Sequence, residues 1–281
     1  MTDPGRIVFV GPGVMAEALA SGLIRRAGSL PDSIVMSGPR PERLAELAER
    51  HGVRSEPESR QAVAGAQTVV LSVKPQTLDE VLRHLRGAIP PEALVLSIIA
   101  GARLADLTRG LDHAAVVRSM PNTPAQVGEG VTVWTATPDV DAPQRETARA
   151  ILRSVGREVY VENEDYLDMA TALSGTGPAY VFLFMEAMVD AGVHLGFPRR
   201  MAEELVVQTV RGSVAFYESA PLHLARLRNQ VTSPGGTSAA ALYYLEKAGF
   251  RTAISRAIWA AYERSIQLGQ GRKKGSIDEG S

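Results

Sequence analysis

A loop in the carboxyl-terminal part of the chain combines hydroxyl side chains with glycines directly ahead of a helical pattern. Glycine lets the backbone approach a ligand closely. The first N–H groups of a helix have no partner within the helix, so they can hold an anion such as a carboxylate. An ordinary Pro-Gly turn before a helix N-cap would produce the same pattern. The residues of this loop are Ser233, Pro234, Gly235, Gly236, Thr237 and Ser238.

A second motif, in the amino-terminal part, predicts a dinucleotide site. The apolar run Ile7–Val10 leads into a Gly-x-Gly-x-x-Ala pattern and then a helical pattern. In such a strand–turn–helix the first glycine makes the turn, and the second lets the pyrophosphate approach the helix N-terminus. The small sixth residue lets the helix pack on the strand. The candidate cofactor-binding residues are Gly11, Pro12, Gly13, Val14 and Met15, with Ala16 as the packing residue.

The end of the second predicted strand favours NADP over NAD. An NAD site usually places an acidic side chain there to hold the ribose 2′-hydroxyl. This chain has Ser37 and Arg40 instead. A serine can donate a hydrogen bond to a 2′-phosphate, and an arginine can pair with it. If Arg40 is only a solvated residue ahead of a helix, NAD would bind instead.

Further candidates follow the ends of later strands, where ligands bind in open α/β sheets. Lys74, between Val73 and Pro75, could approach the cofactor or the substrate carboxylate, or it could be an ordinary surface lysine. Ala100 lies in a run of small residues, where a nicotinamide ring could lie close to the backbone. Asn122 stands in a proline-flanked turn and could bond to the cofactor or hold the cleft in shape.

Bulk composition excludes several classes of function. The chain has 281 residues, 45% of them hydrophobic, and a net charge of −1. This is enough for two domains and argues against a general nucleic-acid or membrane-surface binder. There is no cysteine, and the five histidines show no metal-ligand spacing. Thiolate catalysis and Cys-ligated metals are therefore excluded, and no metal site is expected.

The same sequence predicts a cytoplasmic protein. No basic region followed by a long apolar run marks a signal peptide. The most apolar stretch, Ala179–Leu195, is interrupted by Glu186 and Asp190. We therefore expect a soluble helix that is buried on several sides, and not a membrane span.

The order of elements predicts an α/β domain followed by an all-α domain. Residues 1–162 alternate apolar runs with helical patterns, which is typical of a Rossmann-like, mostly parallel sheet covered by helices. Residues 163–270 are predicted as helices whose apolar surface is partly buried against another subunit. The polar tail 271–281 is predicted to be disordered. Strands are predicted at Ile7–Val10, Ile34–Ser37, Thr68–Val73, Leu94–Ile99, Val116–Arg118, Val131–Thr135 and Glu158–Val161.

These motifs together resemble the pyrroline-5-carboxylate reductase family. The resemblance runs in order from Ile7 to about Gly269. It implies reduction of 1-pyrroline-5-carboxylate to L-proline, the last step of proline synthesis, by a Rossmann-like domain joined to an all-helical domain. It also implies an intertwined homodimer, often assembled further into a ring. The segments that carry it are Gly11–Ala16, Val73–Gln76, Met120–Pro124, Ser174–Tyr180 and Val231–Thr237.

The chain departs from the family pattern at three places. Ser238 stands where threonine is common, and it retains the hydroxyl. Ser59 stands where many relatives carry an asparagine near the adenosine ribose. Leu222-His223 replaces a His-Pro pair ahead of the substrate loop. We expect the role of Ser238 to survive, and we place Ser59 among the cofactor-binding candidates.

The implied substrate is a cyclic imine bearing a carboxylate, and its nitrogen is far more basic than a carbonyl oxygen. A strong side-chain acid is not obligatory, in agreement with the absence of an obvious His, Cys or paired-carboxylate set. We expect the catalytic residues Thr237 and Ser238 to hydrogen-bond the ring nitrogen or the carboxylate. Ser233, Gly235 and Gly236 would complete the substrate site. Because the helices interlock, the loop of one subunit should complete the site under the other's Rossmann domain.

Two other functions remain open at this point. One is a reductase of the same architecture that acts on a 3-hydroxy acid or a ketoacid through a lysine on a long helix. The helical region offers Lys247, which lies beyond the Gly-Gly loop and close to Gly249. The other is a non-catalytic dinucleotide sensor, against which the presence of both ligand loops argues.

Overall fold

The computed structural model describes residues 5–219 and 222–269. Within them the chain forms two compact units. One comprises the residues up to 176 together with the described residues from 260 onward, and the other comprises residues 177–259. Residues 163–176, which the sequence assigns to the helical domain, lie in the first unit. The predicted tail 271–281 lies outside the described residues.

The first unit is built on an eight-stranded sheet with the strand order β3-β2-β1-β4-β5-β6-β7-β8. Neighbouring strands are parallel except β6 and β7, which are antiparallel. The predicted Rossmann-like, mostly parallel sheet is confirmed. The strands are β1 (Ile7–Val10), β2 (Ile34–Ser37), β3 (Arg54–Glu56), β4 (Thr68–Leu71), β5 (Leu94–Ser97), β6 (Val116–Met120), β7 (Gly130–Ala136) and β8 (Gly156–Tyr160).

Side chains of the central strands alternate between two apolar cores, one on each face of the sheet. In β1, Ile7 and Phe9 belong to one core, and Val8 and Val10 belong to the other. Helices cover both faces, so the central strands are buried on both sides. The helices of this unit are α1 (Val14–Gly22), α2 (Pro41–His51), α3 (Ser59–Val63), α4 (Leu78–Leu85), α5 (Leu104–Leu111), α6 (Ala142–Arg153) and α7 (Tyr166–Ala170).

The sequence prediction misses one strand and extends three others too far at their carboxyl ends, since the predicted Glu158–Val161 runs one residue past β8. β3 has the sequence Arg-Ser-Glu and lies at the sheet edge, where no apolar run is required. β4 ends at Leu71 and β5 ends at Ser97, where each chain segment leaves the sheet at its carboxyl edge. The helical pattern that follows Gly13 is also interrupted, since Leu23–Ala27 form a π-helical turn after α1.

The second unit is helical, and every described residue from 165 onward lies outside a strand, as predicted. Its core is small: Val189, Ala202 and Val206 are buried together where α8 and α9 pack. The helices are α8 (Gly177–His194), α9 (Arg199–Ser219), α10 (Leu224–Gln230), α11 (Thr237–Lys247) and α12 (Phe250–Gly269), of which α12 returns the chain to the first unit.

Helix α8 is largely exposed in the single chain, so the prediction that it is buried on several sides is wrong for one chain by itself. Phe182 is 63% exposed and Leu183 is 67% exposed. Tyr166–His194 is long and apolar enough, by length and composition alone, to cross a membrane, with a mean hydropathy of 1.2. The same apolar surface also suits burial against a second subunit.

Candidate active site

The glycine loop between β1 and α1 is held at the carboxyl edge of the sheet. Gly11 has φ +104°, and a Cβ there would lie 2.8 Å from the backbone of Ser72, so a larger residue does not fit. The Gly11 N–H donates to Ser37 O at 2.9 Å. The Ser72 hydroxyl donates to Gly11 O at 2.8 Å. The ends of β2 and β4 therefore fix the shape of the turn.

The second glycine leaves the start of α1 open. Gly13 is the N-cap residue, and no side chain caps the helix. A Cβ on Gly13 would lie 3.9 Å from Ser72 O, an ordinary contact distance, so there is room beside this residue at the helix N-terminus. Val14 is 57% exposed, and Met15 follows it in the first turn. Uncapped N–H groups beside an open cradle fit the pyrophosphate of a dinucleotide.

Serine hydroxyls meet at the ends of β2 and β3. Ser37 is fully buried, and its Oγ lies 2.8 Å from Ser59 Oγ at the start of α3. Arg40 is exposed at the N-cap of α2 and has no ion pair among the described residues. Because Ser37 is fully buried, the groups that fit a 2′-phosphorylated ribose are the half-buried Ser59 hydroxyl that Ser37 holds and the unpaired guanidinium of Arg40.

One acidic residue near this edge was not identified from the sequence. Glu56 ends β3 in register with Ser37, and its Oε1 accepts the N–H of Glu58 at 3.1 Å. The pattern gave no signal for it because β3 itself was not predicted. The absence of an acid therefore holds for the end of β2 but not for the neighbouring strand.

An ion-pair cluster supports the glycine loop from α2 and also escaped prediction. Arg43 Nε donates to Pro12 O at 3.2 Å, and its guanidinium also pairs with Glu17 and Glu46. Burial would raise the pKa of Glu17, but hydrogen bonds from His51, Arg43 and Arg50 outweigh it and lower this pKa to about 2. The spacings from Arg43 to Glu46 and from Glu46 to Arg50 on one predicted helix could have indicated part of the cluster from sequence, but not its contact with Glu17.

The loops after β4 and β5 lie side by side. Ile98 N–H donates to Leu71 O at 3.1 Å and joins their starting points. Lys74 is exposed and caps the short 3-10 helix that Pro75 begins, while Val73 and Ala100 are half-buried. Two segments of predicted cofactor residues, Val73–Pro75 and Ala100, are thus brought to the edge that carries the glycine loop.

Asn122 is 9% exposed, and its amide joins two other segments. Its Oδ1 accepts the Val131 N–H at 3.0 Å, and its Nδ2 donates to Ser174 O at 3.2 Å. One amide hydrogen remains for a ligand. Asn122 follows β6, which is parallel to β5, so the residue lies at the same sheet edge as Ala100.

The hydroxyl-rich loop of the second unit forms the predicted start of a helix. Gly235 has φ +71°, and the Gly236 N–H donates to Ser233 O at 3.1 Å. Gly236 is the N-cap residue of α11 and no side chain caps it. Thr237 is exposed and Ser238 is half-buried in the first turn. Open N–H groups beside two hydroxyls fit a small carboxylate.

The departure at Leu222-His223 has a local structural role. His223 is the N-cap residue of α10, and its Nδ1 accepts the Ala225 N–H at 3.2 Å. A histidine can therefore start this helix without the family's proline.

Within residues 5–219 and 222–269 no group of His, Asp and Glu side chains is placed to hold a metal ion.

Comparison with known proteins covers both units. Residues 164–268 match the family model described as pyrroline-5-carboxylate reductase dimerisation. Residues 6–101 match a model described as NADP oxidoreductase, coenzyme F420-dependent. A pyrroline-5-carboxylate reductase from Synechocystis sp. is 42% identical over 93% of this chain and 97% of its own. One from Pseudomonas aeruginosa is 41% identical over 96% and 98%.

The chain belongs to the pyrroline-5-carboxylate reductase family.

Solved structures of such reductases share its fold. The enzyme from Coxiella burnetii has a TM-score of 0.86 at 36% identity and covers 94% of this chain and 98% of its own. The Plasmodium falciparum enzyme, solved with NADP bound, has a TM-score of 0.88 at 30% identity and covers 96% and 100%. As a member of this family, the chain is an NAD(P)H-dependent oxidoreductase with a Rossmann-like domain and a helical region that self-associates. Membership of this family excludes the two alternatives, a non-catalytic dinucleotide sensor and a reductase of 3-hydroxy acids or ketoacids.

Proposed function

We propose that this reductase transfers hydride from NADPH to the imine carbon of 1-pyrroline-5-carboxylate and releases L-proline, the final step of proline biosynthesis. The observation that carries the proposal is the presence of two open helix N-termini, at Gly13 and at Gly236, in one chain of this family. One suits a pyrophosphate and the other a carboxylate. The nicotinamide supplies the hydride when bound.

The substrate loop would position the imine. The N–H groups of Thr237 and Ser238, at the helix start that Gly236 caps, bind the carboxylate, with the Ser233–Gly235 turn shaping the approach. The hydroxyls of Thr237 and Ser238 hydrogen-bond the ring nitrogen or the carboxylate. The imine nitrogen takes up its proton without a strong side-chain acid. Positioning of this kind can supply up to about 7–11 kcal/mol of the barrier reduction in favourable cases.

The preference for NADPH rests on the ribose end of the cofactor site. Arg40 and the Ser59 hydroxyl bind the 2′-phosphate and adenosine ribose, and the buried Ser37 hydroxyl holds Ser59 in place. The Gly11–Met15 segment binds the pyrophosphate. The nicotinamide end lies along Val73, Lys74, Pro75, Ala100 and Asn122. NADH can bind the same site without the contacts to the 2′-phosphate.

The active assembly in this proposal is a homodimer, assembled further into a ring, in the cytoplasm, with no nucleic acid or membrane as partner. The exposed apolar surface of the helical unit supports association. The substrate loop of one protomer completes the site of the other. Dilution to monomers should therefore abolish turnover, and a monomer that keeps full activity would contradict this arrangement.

The decisive experiment follows NADPH oxidation optically with pyrroline-5-carboxylate as the substrate and NADH in parallel. Turnover with NADPH favoured is the expected result. Turnover that favours NADH would retain the reaction and overturn the roles given to Ser37 and Arg40. No turnover from a folded dimer that binds NADPH would overturn the proposed reaction.

A further inference from the structure

A buried ion-pair network lies beneath the carboxyl ends of β5 and β6. Arg118, in β6, is 2% exposed. Its guanidinium donates to Glu164 Oε1 at 2.8 Å and to Asp168 Oδ1 at 2.9 Å. A buried charge is costly unless it is paired and hydrogen-bonded. Two carboxylates meet that requirement, and the one on Asp168 is itself almost fully buried.

Asp168 joins this strand to the helix that returns from the second unit. Ser265, in α12, is 2% exposed and donates to Asp168 Oδ1 at 2.9 Å. The other carboxylate oxygen lies 3.4 Å from Arg103 Nη2, at the N-cap of α5. α7 carries the chain toward the second unit, and α12 brings it back. One carboxylate therefore fixes both connections to the sheet.

The network also holds the loop that follows β5. Glu164 Oε1 accepts the N–H of Leu104, in the first turn of α5, at 2.8 Å. Gly101 has φ +76°, and a Cβ there would lie 2.9 Å from Gly269 N. The loop that contains Ala100 is thus held at its end by Glu164 and covered by the end of α12.

The loop after β6 is held by the segment that leads out of α7. Thr171–Gly175 form a π-helical turn, a feature common at functional sites. The Asn122 amide donates to Ser174 O at 3.2 Å. A Cβ on Gly175 would lie 2.8 Å from Met120 Cε, so this turn packs closely against the end of β6.

We propose that Asp168 is a positioning residue for the nicotinamide end of the cofactor. Through Arg118, Arg103 and Ser265 it holds the loops after β5 and β6 in the shape that receives the ring. This inference rests on the proposed function, which takes those loops as the nicotinamide site. The adenosine end binds at β1, β2 and β3, which make no hydrogen bond to this network among the described residues. Loss of Asp168 therefore alters ring placement more than cofactor affinity.

The test compares Asp168→Asn and Ser265→Ala with the matched control Asp165→Asn. Asp165 also lies 3.4 Å from an Arg103 nitrogen, but it is exposed. The measurements are the Kd of NADPH, the nicotinamide emission of bound NADPH, and kcat. Asp168→Asn should change the emission and lower kcat by about tenfold or more, because small misplacements are costly in rate, with Kd changed by less than about twofold. Ser265→Ala should act in the same direction and more weakly, and Asp165→Asn should match the wild type.

Unchanged emission and kcat in folded Asp168→Asn and Ser265→Ala proteins would overturn the inference. Parallel losses of affinity and turnover would also overturn it, because they indicate general destabilisation. If Asp168→Asn does not fold, Ser265→Ala decides, since it removes a single hydroxyl. A wild-type protein that binds NADPH without turnover would contradict the proposed function, while the emission measurement would still test Asp168. Failure of the wild type to bind NADPH would overturn both.

Discussion

Arg40 and Arg43 lie at the start of the same helix. Among the described residues, the guanidinium of Arg43 has ion-pair partners and that of Arg40 has none. A hydrogen bond to Glu46 raises the pKa of Arg43 above its usual value, and Arg43 also bonds to Glu17 and the Pro12 carbonyl. Arg40 has no ion pair in the part of the chain that the structure describes. Its charge is available to a phosphate, whereas the charge of Arg43 is already balanced.

Arg40→Ala should weaken the binding of NADPH and leave the binding of NADH unchanged. Loss of a charge-assisted hydrogen bond of about 1.5 kcal/mol or more corresponds to a rise in the KM for NADPH of roughly tenfold or more. Steady-state kinetics with both cofactors checks this. Arg83→Ala removes an exposed arginine on α4 and serves as the control. Equal effects on both cofactors would show that Arg40 does not contact the 2′-phosphate.

Thr237 and Ser238 are predicted to act through their hydroxyls. Replacing both with alanine should lower kcat/KM for pyrroline-5-carboxylate by roughly 30-fold or more, the loss of two hydrogen bonds of about 1 kcal/mol each. Ser238→Thr keeps the hydroxyl and should retain most activity. If the double variant keeps full catalytic efficiency, the assignment of both residues is wrong.

At the scale of elements, the two glycines of the cofactor loop have different roles. Gly11 is required by its backbone angle and by the approach of Ser72. Gly13 has φ −82°, which any residue can adopt, and open space beside it. The first is needed by the fold, and the second is needed by the ligand.

Gly13→Ala should therefore fold normally and lose cofactor affinity. The added methyl group occupies the space for the pyrophosphate, so the Kd of NADPH should rise by about tenfold or more, which is roughly 1.4 kcal/mol. Titration of NADPH fluorescence measures the Kd, and thermal unfolding checks the fold. Gly28→Ala, at a φ of +75° in open space away from the loop, reports backbone strain alone. Loss of stability without loss of affinity in Gly13→Ala would contradict the assignment.

The α1–α2 contact gives the fold an acid-sensitive component. The folded-state pKa of Glu17 is about 2, below the ordinary value of 4.5. Its stabilising contribution is complete above that ordinary value and is lost as pH falls through the folded-state value. Glu17→Gln should lower the free energy of unfolding by about 1–2 kcal/mol at neutral pH, and the difference from wild type should shrink in acid. Denaturant unfolding at several pH values and fixed protein concentration measures it, with the exposed Glu49→Gln as the control. If the difference in unfolding free energy between wild type and Glu17→Gln did not depend on pH, the ionised Glu17 carboxylate would not be the source of the stabilisation.

At the scale of the whole molecule, the helical unit has little core of its own. Its buried cluster is small, while the large apolar side chains of α8 face outward in the single chain. An all-helical unit with so much exposed apolar surface needs a partner to bury it. The match of residues 164–268 to the dimerisation family agrees with this surface.

Leu183→Glu should shift the protein from dimer to monomer. A charge placed in an apolar interface loses its hydration without gaining a partner. Analytical ultracentrifugation measures the association state, and turnover measured on the same samples shows whether the monomer is inactive. Leu30→Glu is the control because Leu30 is 73% exposed in the first unit. An unchanged dimer in Leu183→Glu would place the interface on another face of the unit.

The sequence determined the features that depend on local pattern. Alternating apolar runs located most strands, and β1 and β2 begin and end where the pattern places them. The glycine spacing located the dinucleotide loop, and the Ser-Pro-Gly-Gly-Thr segment located the start of α11. These elements follow from backbone freedom and hydrophobic periodicity, which neighbouring residues specify by themselves.

Only the tertiary structure decided which distant side chains meet. The edge strand β3, the Glu17–Arg43 cluster and the Arg118–Asp168–Ser265 network join residues far apart in sequence. Charged residues carry no periodic signal for partners on other elements. The same holds for burial: the composition of α8 indicated a helix buried on several sides, whereas its packing within the single chain leaves that surface exposed. Hydrogen-bond partners and buried faces depend on the assembled fold, because each is set by elements that the local sequence does not contain.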